Sequence, residues 1–67
     1  MKLVVNGTER ELGVEIDTVG QVLDFFGVPC FRAAVELNGD IVDPALFDKS
    51  PVHDGDTLEI VSFVGGG

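Results

Sequence analysis

The sequence predicts an α+β domain, a mixed β-sheet with one main helix packed on one face. Three observations carry this reading. Two Asn-Gly pairs, Asn6-Gly7 and Asn38-Gly39, each close an apolar run, as tight hairpin turns require. At Thr18 the apolar spacing switches from period two to a helical stripe of Val19, Val22, Leu23 and Phe26. Beyond the turn at Asp54-Gly55-Asp56, a last apolar run from Leu58 to Val64 leads directly into three glycines.

The first strand covers Lys2 to Asn6. After the turn, Leu12, Val14 and Ile16 alternate with Glu11, Gly13, Glu15 and Asp17, which places the second strand there with a polar outer face. Thr18 is positioned to cap the helix, and Gln21, three residues on, to bond back to it as a capping box. Gly27 supplies the C-terminal stop and Pro29 prevents resumption. A helix of about two to three turns does not persist alone in water, so this one must pack on the sheet. Val28 to Phe31 connect it to a third strand, Ala33 to Leu37. Ile41 and Val42 read as a short return strand. Asp43-Pro44 then opens a helical turn through Ala45, Leu46 and Phe47, with proline in its favoured first-turn place. Residues 1–64 are expected to form the domain and 65–67 a flexible tail.

Composition narrows the function. A chain of 67 residues buries only about 60% of the surface its unfolded form exposes, which leaves little room for a deep substrate cavity. Four Lys and Arg stand against twelve Asp and Glu, a formal net charge of −8. Such a surface repels phosphate backbones, so no nucleic-acid partner is expected; it favours solubility and docking on basic protein surfaces. Cys30 is the only cysteine, which excludes an internal disulfide. The N-terminal run is too short for a signal peptide or a membrane span, so a cytoplasmic protein without membrane attachment is expected.

Side chains able to do chemistry are few. His53 is the only histidine, and its spacing from Cys30 matches no zinc pattern. Cys30 reads as a small filler near the helix end and His53 as a solvated loop residue. The carboxylates are spread over an outer face, so no acid–base pair stands out. The tail is different. Terminal glycines stabilise no fold, but they make a thin extended peptide whose end a partner's catalytic groups can approach closely. The plain alternative is a frayed end with no role. If Leu58 and Ile60 face the helix, Glu59, Val61 and Phe63 fall on the opposite face. Val61 and Phe63, with Val64 and Gly65 following, are then expected to form a docking surface beside the tail.

The opening Lys2-Leu3-Val4-Val5-Asn6-Gly7, the middle Val35-Glu36-Leu37-Asn38-Gly39, the Asp54-Gly55-Asp56 turn and the ending Val64-Gly65-Gly66-Gly67 resemble, in order and over essentially the whole chain, the ThiS-type sulfur carriers of the ThiS/MoaD superfamily. The resemblance implies the β-grasp, or ubiquitin-like, fold. It implies a carrier rather than an enzyme, with Gly67 as the acyl and thiocarboxylate carrier and Gly66 beside it. The partners implied are a ThiF-like adenylating enzyme using ATP and magnesium, a persulfide donor derived from cysteine, and a ThiG-like thiazole synthase. No cofactor or metal is expected on the chain itself. Relatives in molybdopterin synthesis tend to carry prolines before the terminal glycines, where this chain has Ser62-Phe63-Val64. Other readings stay open at this point: delivery of sulfur to molybdopterin or cysteine synthesis, a ubiquitin-like protein modifier, and a plain interaction domain.

Overall fold

A computed structural model describes residues 1–63. Its elements are β1 (Lys2–Val5), β2 (Thr8–Glu11), α1 (Val19–Phe25), a 3₁₀ turn (Cys30–Arg32), β3 (Ala33–Leu37), β4 (Asp40–Ile41), a second 3₁₀ turn (Pro44–Lys49) and β5 (Thr57–Ser62). The five strands form one sheet in the order β2-β1-β5-β3-β4. The central β1–β5 pair is parallel and every other pair antiparallel. This mixed sheet holding a single helix is the β-grasp arrangement.

The turns form for the reasons the sequence suggests. Asn6 and Gly7 have φ of 50° and 81°, and Asn38 and Gly39 of 51° and 89°. Two consecutive positive φ values define the hairpin turn whose twist matches the flanking strands. Thr18 caps α1 with the full capping box, its hydroxyl accepting from the Gln21 N–H while Gln21 Oε1 accepts from the Thr18 N–H. Asp43 caps the second 3₁₀ turn by accepting from Ala45 N–H at 2.9 Å.

The second strand lies earlier than its alternation indicates. It spans Thr8–Glu11, not Leu12 to Ile16. The two-residue turn sets Thr8 against Val5, so Glu11 already faces Lys2 at the start of β1. Beyond that pair, Leu12 N–H donates to the Met1 carbonyl at 2.8 Å and the N-terminal ammonium donates back to the Leu12 carbonyl at 3.0 Å. The chain then turns back, with Ile16 N–H donating to the Gly13 carbonyl, and Leu12 and Ile16 both enter the core while Val14 stands 87% exposed. The apparent period of two is a turn that returns two side chains to the same core.

That core joins Leu3 and Val5 of β1, Val19, Val22 and Leu23 of α1, Val35 of β3, Leu58 of β5, and Phe47 of the second 3₁₀ turn. Burial of each such side chain contributes about 1.5–3 kcal/mol. At the C-terminal end of the helix the core is closed from the edge strand. Arg10 of β2 places its guanidinium 4.8 Å from the Phe26 ring centroid, and Phe26 meets Phe25 edge-on.

Candidate functional site

The candidate site is built around the second half of β5, the strand that leads towards the terminal glycines. Its direction is fixed on both edges. Along one edge it pairs with β3 from Leu37↔Leu58 to Ala33↔Ser62, and Phe63 N–H continues the ladder to the Arg32 carbonyl at 2.7 Å. Along the other edge β1 ends at Val5, yet the pairing does not. Asn6 N–H donates to the Leu58 carbonyl, its Oδ1 accepts from Ile60 N–H at 2.7 Å, and its Nδ2 donates to the Ile60 carbonyl at 3.0 Å. The start of β5 is held likewise. Asn38 Oδ1 accepts from Thr57 N–H at 2.9 Å, its Nδ2 donates to Asp56 Oδ1, and its N–H donates to the Thr57 carbonyl.

The alternation along β5 matches the sequence reading. Leu58 is buried and Ile60 partly buried against the core, while Glu59 points outward. Val61 is 55% and Phe63 56% exposed, so both stand on the outer side of the strand end. Phe31, in the 3₁₀ turn that precedes β3, is also exposed, with the Arg32 guanidinium 5.4 Å from its ring centroid. Val64, Gly65, Gly66 and Gly67, also named from the sequence, lie outside the described residues. Cys30 is partly buried and packed against the core, and His53 is exposed in the loop before Asp56.

Sequence reasoning missed the two asparagines as side chains. Sequence spacing gives Asn6 and Asn38 only the positive φ angles of their turns, which any Asn-Gly pair supplies. The detectable signal was the choice of Asn over Gly at the first position of both turns, since Asn alone brings an amide that can extend a ladder. Among the described residues no group of three His, Cys, Asp or Glu side chains could hold a metal ion, and no helix is long and apolar enough to cross a membrane.

A mixed sheet holding one helix, with its last strand held along both edges, is a ubiquitin-like domain. Comparison with known proteins gives the family. The model of the ThiS family matches residues 3–67, and the chain belongs to that family of ubiquitin-like sulfur carriers. It is 38% identical to the thiamine biosynthesis protein ThiS of Geobacter metallireducens, whose crystal structure covers all of both chains at a TM-score of 0.83. A solution structure of a thiamine biosynthesis protein from the same organism is 35% identical, with a TM-score of 0.82 over all of this chain and 88% of the other. A curated relative, the thiazole synthase of Paramagnetospirillum magneticum, is 46% identical over the whole of this chain. The chain spans about a fifth of that relative's length, 20%.

Proposed function

We propose that this protein carries sulfur for thiazole formation in thiamine biosynthesis, with the Gly67 carboxylate as its working group. The observation that carries the reading is the family match, which extends through residue 67 and so includes the glycines. The likeness to a thiazole synthase over the full chain supports that enzyme as the sulfur acceptor.

The chemistry follows from what a carboxylate lacks. It is a poor electrophile until one oxygen becomes a good leaving group. In the proposed sequence, a carboxylate oxygen of Gly67 attacks the α-phosphorus of magnesium-bound ATP in a ThiF-like enzyme and pyrophosphate departs. The terminal sulfur of a protein persulfide then attacks the acyl-adenylate and expels AMP. A thiol cleaves the resulting acyl disulfide, leaving the thiocarboxylate, whose sulfur is nucleophilic towards the synthase-bound intermediate. The chain's own part is presentation. The clamped β5 fixes the direction of approach, and Val61 and Phe63 offer apolar surface beside it for the partner.

Intact-mass measurement tests this. The protein mixed with its adenylating enzyme, ATP, magnesium and a sulfide source should gain the mass difference between sulfur and oxygen. Conjugation to a protein lysine in place of that small gain would establish a modifier and overturn the carrier reading.

A further inference from the structure

We propose that the groove between the end of α1 and the β2 side of the sheet binds a small organic carboxylate through Arg10. The ligand class is a molecule with a compact apolar body and one carboxylate. The inference stands apart from the carrier reading, since it concerns the helix side of the sheet and not the outer patch of Val61 and Phe63.

The groove is a cavity of about 340 Å³, within the range of about 300–1,000 Å³ that small-ligand clefts occupy. Val5 and Ile60 contribute apolar surface from the sheet, and Phe26 and Val28 from the end of the helix. Thr8 and Ser62 add hydroxyls, while the amide of Asn6, also at the groove, is already spent on Ile60.

Strand alternation decides the charge. Thr8 and Arg10 lie opposite Val5 and Leu3, both core residues, so they share the helix side of the sheet. Glu9 and Glu11 lie opposite Val4 and Lys2 and fall on the other side. In a chain with twelve acids and four Lys and Arg, Arg10 is thus the single charged residue lining this cavity. Among the described residues the ion pairs join the N-terminus to Glu11 and His53 to Asp56, and neither engages Arg10. Its guanidinium lies 4.8 Å from the Phe26 ring centroid. That contact orders the long side chain and leaves its N–H donors for an acceptor. A planar fork of donors beside apolar walls suits a carboxylate carried on an apolar body. Shielding of a phenylalanine alone needs no cavity: Arg32 lies over Phe31 in the same way and outside the groove.

The test titrates the full chain with phenylacetate and with its neutral counterpart phenylacetamide, following backbone amide shifts by NMR. Phenylacetate should saturate with a Kd of about 1–5 mM, as suits a ligand of about ten non-hydrogen atoms, and should move the amides of Thr8, Arg10, Phe26 and Ser62. Phenylacetamide should bind about tenfold more weakly. Arg10→Gln should lower phenylacetate to the level of the amide. Arg10→Lys, which keeps the charge without the fork, should fall between. Arg32→Gln, removing an equal charge outside the groove, should stay within about twofold of wild type. Melting curves confirm that each variant is folded, and the comparison of the two probes on the wild-type chain requires no variant. Equal binding of the two probes, no saturation by about 10 mM, or an equal loss in Arg32→Gln would each overturn the proposal. Shifts at the groove that follow protein dilution instead of phenylacetate would assign it to a second copy of the chain and overturn the proposal as well.

Discussion

Asn6 grips Ile60 in both directions, accepting from its N–H at 2.7 Å and donating to its carbonyl at 3.0 Å. The side-chain amide thus stands in for a strand residue at the point where the β1 backbone has already turned away. A position selected for its turn geometry also steers the strand that precedes the glycines. Asn38 holds Thr57 at the other end of β5 by a different division, its Oδ1 accepting from the Thr57 N–H while its backbone N–H donates to the Thr57 carbonyl. The two Asn-Gly turns are therefore two anchors on one strand.

Replacing Asn6 separates these roles. Asn6→Gly keeps the positive φ and removes both amide bonds, and should cost about 1–2 kcal/mol. Asn6→Ala adds backbone strain at a φ of 50°, for a total of about 2–4 kcal/mol. Hydrogen exchange at the Ile60 amide should speed up in the Gly variant more than at Val35, whose strand is not held by Asn6. Wild-type stability and wild-type exchange in Asn6→Gly would remove the side chain from the argument.

Phe63 tests the docking surface. At 56% exposure its ring contributes little to the core, while its N–H still bonds Arg32. Phe63→Ala should leave the melting temperature within about 2 °C of wild type and weaken binding to the adenylating enzyme about tenfold or more. Calorimetric unfolding and an affinity titration measure the two quantities separately. Marked loss of stability with undiminished binding of the folded fraction would show that the ring belongs to the core.

Gly20 offers a structural check on the helix. It is buried in α1, and a Cβ placed there would collide with the Asp48 carboxylate of the second 3₁₀ turn. Alanine gains about 1 kcal/mol over glycine inside a helix. Asp48 is exposed and its carboxylate is the mobile end of the side chain, so Gly20→Ala alone should fall near neutral as that group swings away. With Asp48→Ala added, the helix gain should emerge as about 1 kcal/mol of net stabilisation in denaturant titration. Destabilisation of the double variant beyond about 1 kcal/mol would mean that backbone, not the carboxylate, sets the close approach.

The contrast between the second strand and the helix shows where the sequence was legible. Thr18, Gln21 and Gly27 act within a few residues of themselves, so capping and termination could be read from spacing alone. The start of β2 depends on a partner strand, because the hairpin register, not the alternation of Leu12, Val14 and Ile16, decides which residues can pair. The outward placement of Val61 and Phe63 was legible because period two holds along any strand whose core side is known. The asparagine clamps were not, since each joins residues brought together only by the parallel β1–β5 pairing or the antiparallel β3–β5 pairing, more than fifty positions apart for Asn6 and Ile60.

The proposed role of Gly67 makes the sharpest demand, because it requires the carboxylate at one fixed distance from the clamped strand. Appending a single residue after Gly67 would place an amide where the carboxylate has to react and carry the new carboxylate beyond it. Deleting Gly66 and Gly67 would shorten the reach by up to roughly 7 Å of extended chain. Neither change touches the core, which is complete within Leu3 to Leu58, so both variants should unfold at the wild-type temperature. Both should nevertheless fail to form thiocarboxylate when incubated with the adenylating enzyme, magnesium, ATP and sulfide. Gly67→Ala should be milder, with a loss set by how closely the partner's channel fits the added methyl. Intact mass distinguishes the three, provided the appended residue is shown to remain attached throughout. Sulfur gained by the extended chain with its extra residue in place would remove the Gly67 carboxylate from the mechanism and leave the domain as an interaction module.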